Sequence, residues 1–197
     1  MPDTDIKIRI AELSDAPELL NIYQYYVKNT AITFEYDIPS NKEFEDRIRT
    51  ISHDYPYLVA YKANKILGYA YLNAFHPRAA YIWAAEISIY LAPNVQHKGI
   101  GTLMYKELEK IALKQNILNI NACISLPKQN DVHLPMTSIN FHKKNGFKEV
   151  AHFHDVGYKF NTWFDMIWME KNQKNHPIPM NAFIPFPQLR DSFLLNS

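Results

Sequence analysis

Residues 95–101 read VQHKGIG, between the strand-like run AAEISIYLAP (84–93) and the helix-like run TLMYKELEKIALK (102–114). The chain has only 5 glycines, and two of them, Gly99 and Gly101, stand here where a helix begins. A helix N-terminus exposes unpaired N–H groups and the positive end of the helix dipole. Gln96, His97, Lys98, Gly99, Ile100, Gly101 and Thr102 therefore offer successive amides, and residues without a Cβ let an anion approach the backbone. The stretch reads as a phosphate cradle. It is not a P-loop, because no Lys-Ser/Thr follows the second glycine, and Met104 stands where a dinucleotide fingerprint needs its third. A plain strand-to-helix turn is the other reading of the same residues.

Outward from this turn, periodicity divides the chain into elements. DIKIRI (5–10) alternates as a half-buried strand. Asp15 and Glu18 suggest a capping box, with Pro17 in the first turn and Ala16, Leu19, Leu20, Tyr23 and Val27 at helical spacing. Ser40 and Glu43 suggest a second box, before the stripe Phe44, Ile48, Ile51. YLVAYKA (57–63) and ILGYAYLNAF (66–75) form a hairpin about Asn64-Lys65, and IWAAEISIYL (82–91) is the next strand. After the glycines, Leu103, Met104, Leu108, Ile111 and Ala112 share a helix face. LNINACISL (118–126) is a strand, MTSINFHKKNG (136–146) a short helix ended by Gly146, and FKEVAHFHDVGYKF (147–160) and WFDMIWME (163–170) two more strands. The order β-α-α-β-β-β-α-β-α-β-β predicts an α/β (α+β) domain over residues 1–172, with seven strands in a mixed sheet and helices on its faces. From His176 onward, Pro177, Pro179, Pro185 and Pro187 predict an irregular arm, residues 173–197.

Bulk properties exclude several function classes. Lys+Arg 21 against Asp+Glu 20 gives a net charge of +1, and no basic cluster suits a nucleic acid or an anionic membrane. No apolar run approaches the ~18 residues of a membrane span, and MPDTDIKIRI lacks a signal pattern, so a cytoplasmic protein is expected. The one cysteine, Cys123, lies in the apolar NINACISL and reads as a buried structural thiol. His152, His154 and Asp155 in AHFHD read as a solvated strand face, and no metal is expected, since a dependable site needs three or four converging ligands.

One acid interrupts the strand IWAAEISIYL. Glu86 shares a face with Ala84, Ser88 and Tyr90, while Trp83, Ala85, Ile87, Ile89 and Leu91 form an apolar face. A carboxylate there is either a paired structural group or a poised base.

Q-x-x-G-x-G after a strand and opening an amphipathic helix resembles the acetyl-CoA signature of the GNAT superfamily of N-acetyltransferases. Arg78-Ala79-Ala80-Tyr81, AAEISIYLAPNVQHKGIGTLMY, SINFHKKNGF and WFDMIWME, in this order over about residues 6–170, resemble its phosphinothricin N-acetyltransferase branch. The resemblance implies a mostly antiparallel sheet and acetyl-CoA as cofactor. Its pyrophosphate would lie on amides 96–102, and its pantetheine arm along Ile87, Ser88, Ile89, Tyr90 and Leu91, with an N–H there as oxyanion donor. It implies Glu86 as general base and, from S-x-x-x-H-x-x-x-G-[FY], His142 as a candidate general acid. Thr33, Phe34, Arg78 and Tyr81 match positions bordering the substrate. Two departures stand out: Asn140 where relatives are usually basic, and Pro135 where an Asn usually contacts the arm, a contact that Asn130 in the longer loop would replace. The implied reaction is acetylation of a small amino-acid-like amine of the phosphinothricin, methionine sulfoximine or methionine sulfone type, which would inactivate a toxic analogue. A protein N-terminus, a polyamine or an aminoglycoside as acceptor, or a non-catalytic acyl-CoA sensor, are the alternatives. Relatives tend to be homodimers, and Phe183, Ile184, Phe186 and Leu189 in the arm suggest an interface.

Overall fold

The computed structural model describes residues 5–194. Its elements are β1 (Lys7–Ile10), α1 (Ala16–Asn29), α2 (Asn41–Ser52), β2 (Tyr57–Lys62), β3 (Lys65–Ala74), β4 (Ala84–Leu91), α3 (Ile100–Lys114), β5 (Asn119–Leu126), α4 (Thr137–Lys144), β6 (Lys148–Lys159), β7 (Thr162–Asn172) and α5 (Arg190–Leu194). The strands form one 7-stranded sheet in the order β1-β2-β3-β4-β5-β7-β6. Every pairing is antiparallel except β4 with β5.

That parallel junction is short. It joins Ala84 to Asn119, Ala85 to Ile120 and Glu86 to Asn121, and then stops. Residues 87–91 stay paired to β3, and 122–126 to β7, so the two halves of the sheet part in a wedge.

Strand alternation gives the sheet two apolar faces. Leu19, Tyr23, Phe44 and Ile48 of α1 and α2 cover Tyr57, Val59 and Tyr69. Met104 and Leu108 of α3 and Ile139 of α4 cover Leu58, Ala70, Leu72, Ala85, Ile87, Ile120 and Ala122. Burying a side chain such as Leu108 contributes roughly 1.5–3 kcal/mol over leaving it in water.

Local chemistry explains where elements start. Ser40 caps α2, accepting from the Glu43 N–H (3.2 Å) while the Glu43 carboxylate accepts from the Ser40 N–H (2.6 Å), the box the spacing predicts. The Asp15–Glu18 box does not form. Asp15 instead holds Arg9 of β1 through two bonds of 2.7 and 2.8 Å and accepts from the Glu12 N–H, because a guanidinium fork outcompetes one amide for a carboxylate. The hairpin turn lies one residue earlier than expected: Ala63 and Asn64 take φ of 48° and 60°, as a two-residue type I′ turn requires.

The arm departs most from expectation. It is not wholly irregular: a 3-10 turn (Phe186–Leu189) leads into α5. Nor do its apolar residues lack a partner. Phe186 is buried in the α3-side core, where Phe183 and Leu189 also pack, and the Phe183 ring lies 5.7 Å from Tyr55. Gln115 fastens the segment, its amide donating to the carbonyls of Asp54 (2.8 Å) and Ile184 (3.1 Å).

Candidate active site

The helix starts where the glycines predict it. Gly99 caps α3 with φ 82°, a left-handed conformation that costs a residue with a Cβ roughly 1–2 kcal/mol. The amides of Ile100, Gly101 and Thr102 open α3, where no intrahelical acceptor exists for them. Gly101 serves packing as well: a Cβ there would meet the Phe141 ring at 2.9 Å and Ile89 at 3.3 Å. Upstream, His97 also has positive φ, 62°. The Gln96 side chain turns inward and donates to the Tyr26 hydroxyl (3.2 Å).

Tyr26 also sorts the exposed groups of β4. Its hydroxyl donates to the Leu91 carbonyl (2.5 Å) and accepts from the Leu91 N–H (3.2 Å), so the backbone of Leu91 is engaged within the fold. In an antiparallel pair alternate residues turn their N–H and C=O toward opposite neighbours. Leu91 turns from β3 toward Tyr26, and Ala85 turns its carbonyl toward Asn121 of β5 (3.5 Å). Ile87 and Ile89, between them, therefore face the wedge, where no strand pairs with them. Ser88 and Tyr90 direct their main chains to Tyr71 and Tyr69 of β3 instead. The expected run Ile87–Leu91 thus reduces, for main-chain bonding to a ligand, to Ile87 and Ile89. Ser88 and Tyr90 present only side chains.

Glu86 ends the paired part of the junction, opposite Asn73 on one side and Asn121 on the other. It is half-buried, with no hydrogen bond or ion pair among the described residues. The paired structural alternative is therefore absent. Burial raises its carboxyl pKa above the ordinary value, and its charge is felt at Tyr71 and at Cys123. Cys123 corrects another expectation. It is exposed, because its face of β5 fronts the wedge after β4 has parted from it. Loss of hydration in the crowded cleft, with the Glu86 charge adding to it, pushes the thiol up to about 12, so it is a thiol and not a thiolate.

The remaining walls are aromatic and cationic. Tyr57 and Tyr71 stack at 4.8 Å on the Glu86 face. Phe75 bridges Tyr81 (6.0 Å) and Trp168 (5.4 Å). Arg78 caps the 3-10 turn that carries Tyr81 into β4, and its guanidinium is exposed with no ion pair among the described residues. Thr33 and Phe34 lie in the α1–α2 loop. The Thr33 hydroxyl is already engaged by Tyr23 (2.9 Å), and Phe34 lies over Gly157 and near Phe164 (6.3 Å). These two shape the loop. Lys159, which sequence reasoning missed, holds it: its ammonium donates to the carbonyls of Thr30 (2.9 Å) and Thr33 (2.8 Å) and is 3% exposed. The same reasoning did not single out Tyr26.

His142 is not brought to the cleft. It is 4% exposed on the α3 side, with Nε2 2.8 Å from the Tyr105 hydroxyl and Nδ1 2.8 Å from the Ser138 carbonyl. Only one tautomer satisfies both: Nδ1–H donates to Ser138, and Nε2 accepts from Tyr105. Burial holds its pKa down to about 4. The neutral ring has its one N–H committed to the Ser138 carbonyl and its other nitrogen to Tyr105, an arrangement that favours a structural role over a general acid. Asn130 is exposed and has no hydrogen bond among the described residues. Its loop packs on the start of the α1–α2 loop and on β7, seating Leu134 against Ala31 and Phe164 and stacking His133 on Phe160 at 3.9 Å.

Residues 8–168 match the family model described as an acetyltransferase (GNAT) domain. The chain belongs to the GNAT acetyltransferase family. Among curated GNAT relatives, a phosphinothricin N-acetyltransferase of Streptomyces coelicolor is 28% identical over 176 residues, covering 87% of this chain and 99% of the relative. An L-methionine sulfoximine/L-methionine sulfone acetyltransferase of Pseudomonas aeruginosa is 31% identical over 170 residues, covering 84% and 93%. A GNAT phosphinothricin acetyltransferase of Sinorhizobium meliloti, solved in complex with acetyl-CoA, superposes with a TM-score of 0.82 at 29% identity, covering 93% of this chain and 97% of that one. Among the described residues, no helix is long and apolar enough to cross a membrane.

Proposed function

We propose that this GNAT N-acetyltransferase transfers acetyl from acetyl-CoA to the amino group of a small amino-acid-like acceptor of the phosphinothricin, methionine sulfoximine or methionine sulfone type. The observation that carries the reading is Glu86, a half-buried carboxylate without a partner among the described residues, beside the free edge of β4.

The residues fit the cofactor. The amides of residues 100–102 suit a diphosphate, and the main chain of Ile87 and Ile89 suits an extended arm added as a strand. When bound, acetyl-CoA supplies an acetyl group on a thioester. Glu86 accepts the proton of the acceptor ammonium, which its raised pKa favours and its lack of a competing partner permits. An N–H of Ile87 or Ile89 would donate to the thioester carbonyl as the amide bond forms and the carbon–sulfur bond breaks, and coenzyme A would leave as its thiolate, to be protonated from solvent. Arg78 supplies a free guanidinium for the acceptor's carboxylate, phosphinate or sulfonyl oxygens, with Tyr81 beside it. His142 acts as a positioning residue that locks α4 to α3 through Tyr105.

Free Arg78 favours an anionic acceptor over a polyamine or an aminoglycoside, which would want an acidic pocket. A homodimer in the cytoplasm completes the reading. With the arm docked on its own chain, our candidate interface is the β6–β7 hairpin, where Val150, Phe153, Val156, Tyr158 and Trp163 are exposed. The test is thiol release with phosphinothricin, methionine sulfoximine, methionine sulfone, proteinogenic amino acids, spermidine and kanamycin as acceptors. Turnover confined to the cations would refute the acceptor class. Glu86→Gln is expected to lower kcat by about 10²–10⁴ while acetyl-CoA still binds. Unchanged kcat would remove Glu86 as the base.

A further inference from the structure

The β6–β7 hairpin carries a second cluster that the acetyl-transfer chemistry does not use. We propose that His152, His154 and Asp165 form a binding site for a late first-row divalent cation, with Zn²⁺ as the natural probe.

The sequence motif HFHD offers two imidazoles, and the fold supplies the third ligand from the neighbouring strand. His152 pairs with Ile167 and Phe153 with Met166, so continuing the register sets His154 against Asp165 and His152 diagonal to it. The pairing then breaks between Phe153 and Gly157, where Asp155 takes φ 53°. One ligand atom from each of the three residues lies within 4.8 Å of the others. Both rings already turn a nitrogen to the same carboxylate oxygen: His152 Nε2 stands 2.8 Å and His154 Nδ1 3.1 Å from Asp165 Oδ2.

The surroundings resemble those of a ligand set rather than of a casual surface pair. The other carboxylate oxygen, Asp165 Oδ1, accepts the Asp155 N–H at 2.9 Å, which fixes the carboxylate plane. The second nitrogen of His152 lies 4.0 Å from Glu149, beyond hydrogen-bond reach, so Glu149 adds negative charge beside the cluster without fixing the ring. Asp155 itself is taken by an ion pair with Lys128, so three protein ligands converge and the remaining positions open to solvent on the side of His154, whose side chain is 71% exposed. Two imidazoles and one carboxylate select zinc, nickel or copper over calcium or magnesium, which want oxygen donors throughout. Asp165 pairs with Leu126 and shares the α3-side face of the sheet with Ile124 and Ile167, the face opposite Glu86. The bound ion therefore clips β6 to β7 and takes no part in the transfer.

The test is equilibrium dialysis of the full chain against Zn²⁺ at pH 7.5 in a non-chelating buffer, with metal counted by mass spectrometry. Wild type and Cys123→Ser are expected to retain one equivalent each. His154→Ala and His152→Ala are expected to bind at least about tenfold more weakly, since a tridentate site cannot lose a ligand unharmed. His154 is exposed enough that its replacement leaves the fold intact, which circular dichroism checks. A thermal melt gives the second readout: zinc raises the midpoint of wild type and not of His154→Ala. Substoichiometric zinc on wild type, or wild-type affinity in His154→Ala or His152→Ala, overturns the proposal.

Discussion

Lowering the pH is expected to destabilise this fold through His142, and the size of the effect follows from its surroundings. In the folded chain the ring is buried and neutral, with a pKa held down to about 4 against an ordinary 6.5. Between those values the unfolded chain binds a proton that the folded chain refuses. The contribution is therefore complete above pH 6.5 and is lost as the pH falls toward 4. A shift of this size amounts to about 3 kcal/mol between pH 7.5 and pH 4. Protonation would place a second N–H on Nε2, facing a Tyr105 hydroxyl that is itself a donor, since burial holds the Tyr105 pKa well above 10. His142→Gln keeps an acceptor for Tyr105 and abolishes the titration. Urea unfolding at steps from pH 7.5 to 4 should then show a shallower decline for the variant than for wild type, the difference approaching about 3 kcal/mol. Parallel curves would refute the reasoning, because they mean a ring that titrates alike in both states. Activity gives a second measure. A positioning residue leaves kcat within about threefold, whereas a general acid is worth about 10²–10⁴.

Three further outcomes are expected. Gly99→Ala forces a Cβ into φ 82°, at a cost of about 1–2 kcal/mol, so calorimetry should show weaker acetyl-CoA binding; unaltered affinity would mean that the cap does not set the cradle. Lys159→Met leaves the Thr30 and Thr33 carbonyls without their donor, lowering stability by roughly 2–3 kcal/mol and raising KM for the acceptor but not for acetyl-CoA; equal effects on both would separate Lys159 from the acceptor loop. Light scattering should give the mass of two chains, reduced to one by Trp163→Lys; a wild-type mass of one chain would dismiss the homodimer.

The order of elements was legible because each carried a local signature: period-2 alternation in β4, the Ser40–Glu43 cap, and glycines at the start of α3. What was not legible depends on partners distant in sequence. Asp15 was drawn from its predicted cap by Arg9 on another element. Cys123 lies in an apolar run but faces a gap that exists only because two strands diverge. The histidine of the S-x-x-x-H pattern fits the branch's motif, yet the motif says nothing of Tyr105, which occupies its second nitrogen. Asp165 reads as an ordinary strand acid until the register sets it beside His154. Glu86 was the exception. An acid in so apolar a strand demands an explanation, and the one it received turns on the absence of any partner.

Seven strands joined through three residue pairs at the middle behave as two stiff plates sharing a brief seam. In the proposed binding mode a guest threaded into that seam would be a strut as well as a reactant, for it would complete the hydrogen-bond ladder the chain leaves unfinished. Hydrogen exchange at the Ile87 and Ile89 amides should slow when it enters and quicken when it departs, so that each catalytic cycle closes and reopens the centre of the sheet.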